Sequence, residues 1–105
     1  MSFSKFYNPI IDGINFFLDK GVDIYSLIEE STNSGLEQLI EGKGKIDLNF
    51  NSKIDIDISS HEDYVNLAFY QQLIGNKIMD YISLGISERK NYDGVLSYLG
   101  IYTNN

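Results

Sequence analysis

Four oxygen-bearing side chains stand on alternate positions of one short stretch: Asp47 and Asn49, then Asp55 and Asp57. Carboxylates and carboxamides gathered on one face can converge on a hard cation, or they can accept hydrogen bonds from the Lys and Arg side chains of a basic protein. Side chains on one flat strand face stand parallel and rarely wrap an ion. The Asp-x-Asp-Gly loop and distal Glu of the helix–loop–helix calcium motif are also missing. A contact face for cationic side chains is therefore the expectation, with no metal and no cofactor.

Catalytic chemistry has no comparable foothold. His61 is the only histidine, and a general base needs a nucleophile and an orienting partner that the sequence does not supply. Its place beside Glu62 and Asp63 suits a solvent-facing residue in the first turn of a helix. There is no cysteine, which excludes disulfides, thiolate metal sites and thiol nucleophiles. The run Gly42-Lys43-Gly44-Lys45 is too short to cradle phosphates and lacks the following Ser or Thr. The expected activity is binding, not turnover.

Charge says what would be bound. The net charge is −7, from 15 acids against eight Lys and Arg. Between Asp12 and Glu41 seven acids accompany a single base, Lys20. Such a surface repels nucleic acid and anionic membrane and steers basic proteins toward it.

The elements that must position these groups follow from periodicity. From Ile46 to Ile58 the even positions Ile46, Leu48, Phe50, Ile54, Ile56 and Ile58 are apolar, and the acids take the odd ones. A period of two is that of a half-buried strand. A three-residue loop, Asn51-Ser52-Lys53, keeps the two faces consistent. It pairs Phe50 with Ile54, Leu48 with Ile56 and Ile46 with Ile58, and sets Asp47 opposite Asp57 and Asn49 opposite Asp55. A hairpin over about 45–58 is expected.

The rest reads as helix. Asn8-Pro9 starts a first helix with Ile10, Ile11, Ile14, Phe17 and Leu18 at helical spacing, stopped by Lys20-Gly21. Asp23 caps a second that reaches about Glu30, with Val22 and Leu27 as its staple; Ser34 and Glu37 form a capping box for a third, Leu36 to Glu41, ended by Gly42. Ser59 and Glu62 open a long helix over about 60–84, with Tyr64, Leu67, Ala68, Ile74, Ile78, Met79 and Ile82 as its main stripe. Val65, Phe69 and Leu73 lie on the other side, and Gly75 admits a close neighbour. Ser87 caps a short C-terminal helix with Tyr92, Val95, Leu96 and Leu99 as its stripe, Gly100 as its stop and Ile101 as the hydrophobic follower; the alternative is a turn at Asp93-Gly94 before a strand, Val95 to Tyr102. Tyr92, Tyr98 and Tyr102 are candidate interface anchors.

The expectation is thus a single α+β domain over 1–105: three short N-terminal helices, one hairpin, one long helix and a short C-terminal helix. Its expected function is that of a small acidic protein-binding module. The most specific form is a stoichiometric inhibitor, of the immunity-protein or phage anti-defence type, of a basic partner such as a nuclease or toxin. The partner-binding residues would be Asp47, Asn49, Asp55 and Asp57, joined by Glu37 and Glu41 if the third helix packs alongside the hairpin. The alternative is a structural protein that forms a homodimer through Val65, Phe69 and Leu73. With no apolar h-region at the N-terminus and no apolar run of membrane-spanning length, the expected compartment is the cytoplasm.

Overall fold

A computed structural model of the chain describes residues 8–84 and 92–100. Its elements are α1 (Pro9–Asp19), α2 (Ile24–Ile40), a 3-10 turn (Asn51–Lys53), α3 (His61–Ile82) and α4 (Tyr92–Leu99). Among the described residues there is no strand, so the fold is an all-helical globule and the expected α+β class is overturned. No helix of the described residues is long and apolar enough to cross a membrane.

The caps explain where the helices begin and end. Asn8 caps α1 by accepting from the Ile10 amide at 3.0 Å, and Pro9 takes the first helical position. Gly21, Gly42 and Gly100, at φ of 82°, 83° and 84°, follow the ends of α1, α2 and α4 in the left-handed conformation that suits glycine. Asp23 caps α2 through Ser26, as expected. The cap of α3 is Ser60, one residue later than the expected box. Its hydroxyl accepts from the Asp63 amide at 3.1 Å, while the Asp63 carboxylate turns away to Lys20 on the C-cap of α1. The Asn8 amide group also donates to the carbonyls of Leu99 and Gly100, at 3.0 and 3.4 Å, so one side chain serves the start of α1 and the end of α4.

The second and third expected helices are a single helix. Ser31-Thr32-Asn33-Ser34-Gly35 has the composition of a loop, yet α2 runs through it. Thr32 donates its hydroxyl to the Ile28 carbonyl at 2.7 Å, which satisfies the side chain within the helix. Ser31, Thr32 and Gly35 are all buried, and their small size lets neighbours come close. A Cβ at Gly35 would collide with Ile82 Cδ1 and stand 3.0 Å from Leu48 Cδ2. Packing outweighs the low helix propensity of these residues.

The central element is α3, which packs against α1, α2 and α4. It buries Ile74, Ile78, Tyr81 and Ile82 against Ile10, Ile14 and Phe17 of α1, Ile24 and Ile28 of α2, and Val95, Leu96 and Leu99 of α4. The expected stripe holds in its C-terminal half. At the N-terminal end it fails: Tyr64 is 61% exposed and Ala68 is exposed, while Tyr70 packs on the core and lies against Gly13 of α1. Gly75 faces Phe50, which is 3% exposed. Burial pushes the Tyr81 phenol above its ordinary value, which keeps it neutral in the core. The helix over 92–99 agrees with the helical reading of the C-terminal stretch. Ser87, Ile101, Tyr102 and the side chain of Tyr92 lie outside the described residues.

Two substitutions test this account of α2. Gly35→Val should lower stability by about 2 kcal/mol, because overpacking at Ile82 and Leu48 exceeds any gain in helix propensity. Ser31→Ala should raise stability by about 1 kcal/mol, because the buried Ser31 hydroxyl has no hydrogen-bond partner among the described residues. Urea unfolding of both variants at neutral pH measures the two shifts, which should have opposite signs.

Candidate functional site

The alternating stretch is a strap laid across the bundle. Its parity survives: Ile46, Leu48, Ile54, Ile56 and Ile58 are half-buried and Phe50 is buried, while Asp47, Asn49, Asp55 and Asp57 are exposed. Leu48, Phe50 and Ile54 join the core without any ladder between the two limbs.

Three local features explain why no hairpin forms. The backbone of Asp47 is bound to a side chain: Gln38 Nε2 donates to the Asp47 carbonyl at 2.7 Å, and the Asp47 amide donates to Gln38 Oε1 at 2.9 Å. Asn49 is left-handed at φ 58°, held by its amide donating to Asp47 Oδ1 at 3.0 Å and by Ser52 Oγ donating to its carbonyl at 3.1 Å. The chain then coils through the 3-10 turn, whose Lys53 meets Glu30 of α2 at 3.4 Å. No backbone hydrogen bond joins 46–50 to 54–58 among the described residues, so the expected pairs Phe50–Ile54, Leu48–Ile56 and Ile46–Ile58 do not form, and with them goes the register that set Asp47 opposite Asp57 and Asn49 opposite Asp55.

The acids are regrouped accordingly. Glu37 and Glu41 are exposed on α2 around Gln38, so the C-terminal half of α2 does lie alongside Asp47. Asp55 belongs to the other end of the strap. There it lines a shallow hollow of about 450 Å³ with Asp23, Ser26, Glu30 and Lys53. Asp57 is exposed and makes no hydrogen bond or ion pair among the described residues. On the opposite flank, Asp47 and Asn49 border an open groove of about 630 Å³ between the strap and α3, with Gln71, Gln72 and Asn76 across from them. The pattern in the sequence marked the exposed acids, but the amide-rich wall on α3 was not foreseen. Its signal was the polar run Gln71-Gln72 with Asn76 one turn on, on a helix otherwise read for its apolar stripe.

Other candidates are dispersed. His61 is exposed at the first position of α3, and among the described residues no three His, Asp or Glu side chains come together as a metal site would require. Val65 and Phe69 are 49% and 54% exposed, whereas Leu73 packs against the core and is not part of that exposed pair. Tyr98 is partly exposed and leans on Tyr81 at 5.7 Å between ring centroids.

No protein-family model, no curated protein and no solved structure matches this chain.

Gln38 is the fastening of the first limb. Gln38→Ala should leave the helices intact and lower stability by about 1 kcal/mol through the loss of three hydrogen bonds, two to the Asp47 backbone and one to Ser34 Oγ. Hydrogen exchange at the Asp47 amide should accelerate while the amides of α3 keep their protection. Unchanged exchange at Asp47 would show that another contact holds the strap.

Proposed function

We propose that this chain is a small acidic protein-binding module, without catalytic activity of its own, that works in the cytosol as a stoichiometric inhibitor of a basic partner such as a nuclease or toxin. The observation that carries this reading is the exposure of Asp47, Asp55, Asp57, Glu37 and Glu41 along the strap and the adjoining face of α2. The first limb, which presents Asp47, is anchored through buried Phe50 and the Gln38–Asp47 pair, so little ordering of it is left to be done on binding. A basic nuclease surface that normally meets phosphate would meet these carboxylates instead.

A second reading rests on the exposed pair Val65 and Phe69, one turn apart on α3. Apolar and aromatic side chains at that exposure suit self-association into a homodimer.

The charge reading is tested with the triple variant Asp47→Asn, Asp55→Asn, Asp57→Asn and the partner captured from the native host. Affinity should fall roughly tenfold, given a few tenths to one kcal/mol for each exposed charge contact, and the salt dependence should flatten. Equal affinity for the variant removes these residues from the interface. Light scattering decides the second reading: a monomer at high micromolar concentration would end it.

A further inference from the structure

The second limb of the strap has the side-chain pattern of a strand and none of its hydrogen bonds. From Ile54 to Ile58 exposure alternates residue by residue, half-buried isoleucines against exposed aspartates. Ile54 and Ser60, at either end, have extended backbone, with φ and ψ of −90° and 119°, and −129° and 154°. Yet no backbone amide or carbonyl from Asp55 to Ile58 is hydrogen-bonded among the described residues. The segment is thus an uncapped strand edge about 16 Å long at 3.3 Å per residue.

We infer that Ile54–Ile58 is a docking edge that takes an extended segment of a basic partner as an added β-strand. This rests on the acidic docking reading above and states its geometry. Charge complementarity selects the occupant. A second copy of this chain would set Asp55 and Asp57 against the same residues, and directly opposed like charges are unfavourable. A strand carrying Lys or Arg on alternate positions would place its cations beside Asp55 and Asp57. One end of such a strand would meet Asp23 and Glu30, which line the hollow next to Asp55. Lys53, the one base there, is already paired with Glu30. Main-chain hydrogen bonds would supply affinity and the alternating acids selectivity.

The test uses the isotopically labelled full chain and two synthetic peptides. One is a seven-residue peptide alternating valine and lysine. The other has the same sequence with every backbone amide N-methylated, which keeps the charge and removes all main-chain donors. The unmodified peptide should bind and should protect alternate amides within Asp55–Ile58 from hydrogen exchange. The methylated peptide should bind at least about tenfold more weakly, through loss of several hydrogen bonds. Equal binding by both peptides overturns strand addition and leaves the acidic docking reading standing. Protection that falls elsewhere, or without a two-residue period, also overturns strand addition. Binding by neither peptide overturns both.

Discussion

The close approach at Gly35 is the constraint on which the rest of the molecule depends. With no side chain there, α2 receives Ile82 of α3 and Leu48 of the strap at nearly the same point. Two separate layers, the central helix and the irregular segment, are thereby keyed to one spot on α2. Ser31 and Thr32 extend this small-residue face by one turn. A larger apolar side chain at position 35 would hold Ile82 and Leu48 away from this spot.

That constraint also explains why a sequence written in strand period became a strap. Alternation prescribes which side chains face inward, and the structure obeys it from Ile46 to Ile58. It does not prescribe what the backbone bonds to. Gln38 offers an amide and a carbonyl in one side chain, and with them occupies the Asp47 backbone that a paired strand would need. The left-handed Asn49 and the 3-10 turn then take the chain out of ladder geometry. Burial by parity and pairing by ladder are separable, and here only the first is used within the chain.

How far the fold was legible follows from the range of each signal. Local chemistry read well: Asn8-Pro9, Asp23, and the glycines at positions 21, 42 and 100 stand where a cap or stop requires those residue types. Long-range packing did not. The polar run from Ser31 to Gly35 looks like a loop to any local rule, and only the proximity of Ile82 shows why it stays helical. The same holds at the candidate site. Exposure of Asp47, Asp55 and Asp57 was readable from parity, but their division between two ends of the strap depends on contacts with Gln38 and Glu30 that no spacing encodes.

The Asn8 side chain has a consequence for how the molecule comes apart. Its oxygen caps the first turn of α1 and its nitrogen holds the last carbonyls of α4, helices that lie at opposite ends of the described chain. Displacement of Asn8 removes a cap from both helices at once. The first and last helices are thereby linked in one cooperative opening unit, although 72 residues of chain, 20–91, run between them. The two ends of the described chain are thus fastened twice, through the shared apolar core and through a single carboxamide.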